Sequence, residues 1–255
     1  MIKSLIQYRE FFKTSVLKDF RGKYKKSFLG VLWSFINPLL QLLIYSIVFS
    51  FIMKSGIDNY PCFLVVALIP WTFFNTAVIQ STTAIIYNAG IVKKVYFPRE
   101  ILPISVVTSN LLNFLISCII IIAALIITGV GISPYILLLP IILLIQYILL
   151  IGLAFVLSSI TVYIRDLEYF ISVLMMLWFY LTPVVYSYDF IPNKWLPLFK
   201  LNPMLHVVNA YRDILYFKRL PNMLNLGILF VCSIILMLIG YKIFKRFERR
   251  FAEEL

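Results

Sequence analysis

Between residues 101 and 160 the chain contains no Asp, Glu, Lys or Arg. A soluble domain of 255 residues could bury a full core, but its surface needs more charge than the 13% present here. Hydrophobic residues make up 62% and the mean hydropathy is +0.96. Apolar runs of this kind are membrane spans, each needing about 20 residues to cross about 30 Å of hydrocarbon. Cysteine is scarce. Cys62, Cys118 and Cys232 stand singly within or beside apolar stretches, at spacings that suit neither a disulfide framework nor a metal site. The one histidine, His206, has no second imidazole or carboxylate cluster near it in sequence, which argues against a metal. No G-x-x-x-x-G-K-S/T motif occurs, so this chain has no P-loop with which to cradle ATP phosphates. The apolar runs hold no carboxylate, whereas proton- and sodium-coupled carriers rely on intramembrane ionisable groups. Energy for active transport is therefore expected from another subunit.

Six spans are expected, near 31–53, 62–87, 101–127, 134–160, 169–187 and 222–243, separated by segments with turn or charge signals. The first 27 residues contain no apolar core of signal-peptide length, so no cleavable leader is expected. The net charge of +12 could suggest nucleic-acid binding, but the Lys and Arg lie in short segments between apolar runs. There they report orientation and contact with anionic headgroups. Seventeen lie on the side of both termini and six on the other, which predicts cytoplasmic termini. Five of the six fall in the long segment 188–221, and long external segments are weak topological signals.

Ahead of the first span, Leu5, Tyr8, Phe12, Val16 and Phe20 recur on one helical face, although Arg9 and Asp19 share its arc. This predicts an amphipathic helix lying along the cytoplasmic interface, or else an exposed leader. The stretch RGKYKKSFLGVLWSFINPLL follows at 21–40. In it Arg21, Lys23, Tyr24, Lys25 and Lys26 mark the headgroup level, Trp33 belongs to the aromatic belt, and Pro38 kinks the span two turns in.

Trp33, Asn37, Gln41 and Tyr45 repeat every four residues along the first span. Such a face avoids lipid, so it either lines a polar path or makes inter-helix hydrogen bonds. In the fifth span Met175, Phe179, Thr182 and Tyr186 recur at helical spacing, with Trp178, Tyr180 and Pro183 nearby. Aromatic faces can grip sugar C–H surfaces without fixed hydrogen-bond geometry, and they equally well pack a core. Segment 188–221 is too polar to span and too apolar for a free loop, which suggests re-entrant or interfacial pieces. Lys93, Lys94, Arg99, Glu100, Arg165, Asp166 and Glu168 form compact charged sites in two cytoplasmic loops, serving either as snorkelling anchors or as a docking surface.

With these elements in order, the whole chain resembles the membrane subunit of a type-two ABC exporter, the permease class that exports cell-surface polysaccharides and teichoic acids. The likeness is carried by RGKYKKSFLGVLWSFINPLL, by VYFPREILP at 95–103, by YIRDLEYF at 163–170, and by LTPVVYS with LNPMLHVVNAYRD between 181 and 213. The resemblance implies one all-α integral membrane domain over 1–255. It would comprise an interface helix within 1–30, spans one to five over 31–187, external re-entrant helices in 188–221, and span six with a basic tail over 222–255. It implies a homodimer in a bacterial inner membrane, with each subunit docking a cytoplasmic ATPase that binds ATP and Mg. Lys93, Lys94, Phe97, Pro98, Arg99, Glu100, Arg165 and Asp166 would then couple to that ATPase. The first and fifth spans would line the path, and Arg21, Tyr24, Lys25 and Lys26 would receive the pyrophosphate of a lipid-linked polysaccharide. Three other readings remain open: an exporter of a small lipid or drug, a membrane-embedded glycosyl- or phosphotransferase, and a passive channel or scaffold.

Overall fold

The computed structural model describes residues 2–23, 27–52 and 56–255, and among them every regular element is helical. Helix α1 (Ile2–Gln7) and helix α2 (Arg9–Gly22) precede α3 (Trp33–Ser46), which is entered by a 3-10 turn at Gly30–Leu32 and left by a π-helical turn at Ile47–Ile52. Next come α4 (Tyr60–Thr82), the short α5 (Ala89–Val92), α6 (Ile101–Ile127), α7 (Leu139–Thr161) and α8 (Leu167–Tyr180). The chain closes with α9 (Leu196–Lys200), α10 (Pro203–Leu215), α11 (Met223–Phe247) and α12 (Phe251–Glu254).

Five helical segments are long and apolar enough to span, and they fall where five of the six spans are expected. The fifth expected span differs. Its helix α8 has 14 residues, about 21 Å at 1.5 Å per residue, so it falls short of a full hydrocarbon thickness. The chain turns at Leu181–Ser187, where Pro183 has no N–H with which to continue the helix.

Helix α4 is the axis of the bundle. It is predominantly apolar, and 78% of its most apolar 18-residue stretch is buried. For the first span that share is 11%, so α3 lies at the periphery with a free face. Two prolines sit inside helices, Pro38 in α3 and Pro70 in α4. Near the second, the Gln146 amide donates to the Pro70 carbonyl (2.9 Å) and accepts from the Tyr211 hydroxyl (3.3 Å), which joins α7, α4 and α10 through one buried amide. Buried polar groups of this kind bind helices where the hydrophobic effect between them is weak.

The most extensive helix pairing is α7 with α11. It depends on close approach of two glycines. A Cβ on Gly240 would stand 2.7 Å from the Gly152 carbonyl oxygen, and one on Gly152 would stand 2.9 Å from the Met237 backbone nitrogen. Small residues at such crossings let backbones meet. Replacement Gly240→Leu should therefore force α7 and α11 apart at a cost of about 1–3 kcal/mol, read as a lower melting temperature in detergent. Gly227→Leu, in open space on the same helix, should change that temperature little.

Candidate functional site

The N-terminal helices do not stand free. Helix α2 packs against α6, with Val16 buried and Phe11 against Phe97 at 4.7 Å. Polar bonds hold it: Ser105 donates to Asp19 (2.9 Å), Lys18 to the Asn88 amide oxygen (2.6 Å), and Lys23 to the Asn110 amide oxygen (2.8 Å). Asn110 in turn donates to Gln80 (3.0 Å). A cavity of about 1020 Å³ opens between α2 and the ends of α4 and α6, lined by Lys18, Asp19, Arg21, Lys23, Gln80 and Asn88 among others. Burial raises the Asp19 carboxyl above its ordinary range, against the lowering pull of Ser105 and two lysines. Burial likewise brings the Lys23 amine down to about 8, partly opposed by Asp19. The cation cluster expected from the sequence thus gains Lys18 beside Arg21 and Lys23, while Tyr24, Lys25 and Lys26 lie outside the described residues.

On the first span Trp33 is 37% exposed and its indole donates to Ser27 (3.0 Å), while Asn37 and Gln41 are exposed. The face that packs inward is the neighbouring one. Ser34 and Pro38 are buried, and Ser34 donates to the Asn113 amide oxygen on α6 (2.6 Å). A polar pocket of about 120 Å³ between α3, α4 and α6 brings Asn37 near Thr72, Thr76, Asn110, Asn113 and Ser117.

Tyr45 meets the fifth-span stripe directly, stacking on Phe179 at 5.8 Å. Phe179 also lies 5.6 Å from Trp71 of α4. The rest of that stripe requires a correction. Met175 and Thr182 are buried inside the subunit, and Thr182 accepts a hydrogen bond from Asn202 (2.9 Å). These two side chains hold α8 to its neighbours and do not face an opening within the subunit. Tyr186 is half-buried and donates to the Tyr180 carbonyl (2.9 Å). Tyr169, Val173, Met176 and Tyr180 form the exposed face of α8, each more than half exposed. Helical spacing alone identifies two apolar faces on such a helix. The docking of Trp178 against Phe74 and Asn202 selects which one turns inward.

Asn202 and Arg212 were not singled out by sequence, yet they organise the turn after α8. The Asn202 amide oxygen accepts from Trp178 (2.9 Å) and caps α10 through Met204 (3.0 Å), while its nitrogen donates to the Leu181 carbonyl (3.0 Å) and Thr182. Asn-Pro is a helix-start signal that could have marked it. Arg212, 2% exposed, donates to the carbonyls of Pro183, Val184 (2.6 Å) and Tyr186 (3.3 Å).

The charged loops divide into two sets. Glu100 is fully buried against Lys245 of α11 at 2.6 Å, Lys245 also pairs with Glu248 at 2.7 Å, and Arg99 donates to the Glu248 carbonyl. Phe97 is buried beside Phe11, and Pro98 is half-buried. Phe97, Arg99 and Glu100, three of the expected docking residues, therefore fasten the loop to α2 and the end of α11, a role the sequence could not assign because their partners lie far along the chain. Lys93, Lys94, Arg165 and Asp166 are exposed, as is Tyr96 at 95%. Replacing Lys245 with Met strands the buried Glu100 carboxylate. It should lower thermal stability by about 1 kcal/mol or more, tempered by the partial exposure of Lys245. The double change Glu100→Gln with Lys245→Met should recover part of that loss in the same melting measurement.

Comparison with known proteins agrees with this architecture. The ABC-2 type transporter family matches residues 10–216. The O-antigen export system permease protein RfbA of Myxococcus xanthus is 35% identical over 257 residues, covering 100% of this chain and 99% of the relative. RfbA of Klebsiella pneumoniae is 37% identical over 237 residues, covering 92% and 91%. The polysialic acid transport protein KpsM of Escherichia coli is 23% identical over 239 residues, covering 91% of each. From helical architecture and family match together, this multi-pass membrane protein belongs to the ABC-2 type transporters.

Proposed function

We propose that the chain is the permease subunit of an ATP-driven exporter that moves a lipid-linked cell-surface polysaccharide out of the cytoplasm. The observation that carries this reading is the free face of α3 and α8. Asn37 and Gln41 are exposed on a span whose exposed residues are, apart from Ser50 at its end, otherwise apolar, and Tyr180 is 61% exposed on α8. Amides left in hydrocarbon cost several kcal/mol each, so this face is covered by protein or water. A second copy of the chain, facing the first across α3 and α8, provides both. The path then runs between two copies, with the amides of Asn37 and Gln41 and the rings of Trp33, Tyr45 and Tyr180 along it. The names of the relatives, permeases for O-antigen and polysialic acid export, support a glycan as the cargo.

The excess of Lys and Arg on the side of α2 supports a cytoplasmic N-terminal face in a bacterial inner membrane. On that face the cavity beside α2 presents Lys18, Arg21 and Lys23, and a pyrophosphate headgroup suits three cations backed by amides. Because this chain has no P-loop, hydrolysis of Mg-ATP belongs to a partner. Two copies of that ATPase dock on the exposed Lys93, Lys94, Tyr96, Arg165 and Asp166. The pairings of Glu100, Arg99 and Phe97 carry its closure rigidly into α11 and α2.

Two experiments test these assignments. Tyr96→Ala should leave membrane insertion intact and reduce co-purification of the ATPase, and unchanged co-purification would remove Tyr96 from the docking surface. Binding of geranyl pyrophosphate to the purified complex should weaken as pH rises through about 8, where Lys23 gives up its proton and the cavity loses a cation. Lys23→Arg should move that decline to higher pH. A pH-independent affinity in the unaltered protein would place the headgroup elsewhere.

A further inference from the structure

A third cavity, of about 450 Å³, opens on the face opposite α2 and shares no lining residue with the other two. It lies between α10, the start of α11 and the segment after α8, and its volume lies in the range of small-molecule sites. Three properties of its lining point to one ligand chemistry.

The first is charge. Arg212 is a buried cation whose guanidinium lies 3.6 Å from the Phe63 ring centroid and donates only to backbone carbonyls. No carboxylate lies within 4.0 Å of it among the described residues, and its Nε has no hydrogen-bond partner. Carbonyls solvate a guanidinium without neutralising it, so the charge is uncompensated. The other lining charges nearly cancel. Arg219 pairs with Asp213 at 2.6 Å, Asp189 accepts from Ser187, and Lys200 has no carboxylate partner among the described residues. Three cations against two carboxylates leave the lining one positive charge in excess.

The second property is a set of idle amides. The side chains of Asn209 and Asn225 line the cavity and make no hydrogen bond among the described residues. Each offers a donor and an acceptor, which suits vicinal hydroxyls. The third is aromatic surface. Tyr188 contributes a ring face of the kind that receives C–H groups, while the Phe217 ring is already covered by the Arg219 guanidinium at 4.7 Å and adds apolar edge.

We infer that this cavity binds a carboxylate-bearing sugar residue of the hexuronate type. The carboxylate answers the excess positive charge, the hydroxyls bond to Asn209 and Asn225, and the ring lies against Tyr188. The inference rests on the proposed function for its sidedness, which places the cavity outside the cell where a glycan emerges. The sugar is either a residue of the exported chain or a free monosaccharide, and the ligand chemistry is the same for both.

The test uses the permease–ATPase complex in lipid nanodiscs, with methyl glucuronide as probe and saturation-transfer NMR as readout. Methyl glucuronide should bind at least about tenfold more tightly than methyl glucoside, as a charge-assisted contact requires. The double variant Asn209→Ala with Asn225→Ala should lose at least about tenfold in affinity while retaining ATP hydrolysis. Both side chains are only partly buried and lack partners, so the fold should tolerate their loss. Arg212→Lys, which keeps the charge but not the three-carbonyl fork, should weaken binding if the variant remains folded. Equal binding of glucuronide and glucoside, equal binding of inorganic phosphate, or an unaltered affinity in the double variant would each overturn the site. A glucuronate-containing tetrasaccharide that binds more tightly than the monosaccharide identifies the polymer as the source, and equal affinity identifies the free sugar. Because binding is read without transport, a complex that exports polymer yet ignores glucuronide overturns this inference alone. A complex that exports nothing overturns the proposed function instead.

Discussion

The hydrocarbon interior of a bilayer solvates no polar backbone group, yet this chain interrupts a helix at Pro183 and must satisfy the carbonyls that the break frees. Arg212 meets that demand by donating to Pro183, Val184 and Tyr186. Asn202 completes it from the start of the same helix, binding Leu181, Thr182 and Trp178. The short α8, the turn after it and α10 therefore form one unit, and Tyr60 ties the unit to α4 by donating to the Val185 carbonyl (2.8 Å). Everything on this face follows from that junction, including the depth at which α10 sits and the cavity beside it. A guanidinium suits the task because its fixed fork of donors can reach several carbonyls at once.

The opposite face is built on a different principle. There α2, the loop before α6 and the end of α11 are joined by polar bonds between residues 70 to 145 positions apart. These bonds tie the exposed tip at Lys93–Tyr96 to α11 and to the cation-lined cavity, a connection that suits the proposed drive by a partner subunit. Phe244 and Phe251 are fully buried at the end of α11, so the tail is part of that face.

Between the two faces, α4 is almost wholly enclosed whereas α3 and α8 each leave one side open. The contrast is energetic in origin. Helix α4 buries its many apolar side chains inside the subunit and turns Thr72, Thr76 and Gln80 toward the polar pockets beside α3 and α2. Helix α3 has Ser34 on the side that meets α6, Asn37 at the rim of the pocket shared with α4 and α6, and Gln41 exposed. Exposed amides along a span call for a covering of protein or water, which the proposed pairing of two copies would supply.

How much of this was legible in the chain itself depended on the range of the interactions. Membrane class, helical content, five of the six spans and the amphipathic start before residue 23 all follow from local hydropathy and its period, because the bilayer imposes a length and composition on each segment separately. Which face of α8 turns inward, the burial of Glu100 against Lys245, and the roles of Asn202, Arg212, Lys18 and Lys23 were decided only in three dimensions. Each depends on a partner dozens of residues away, and a side chain's spacing along its own helix carries no information about the distant group that completes its hydrogen bonds or neutralises its charge.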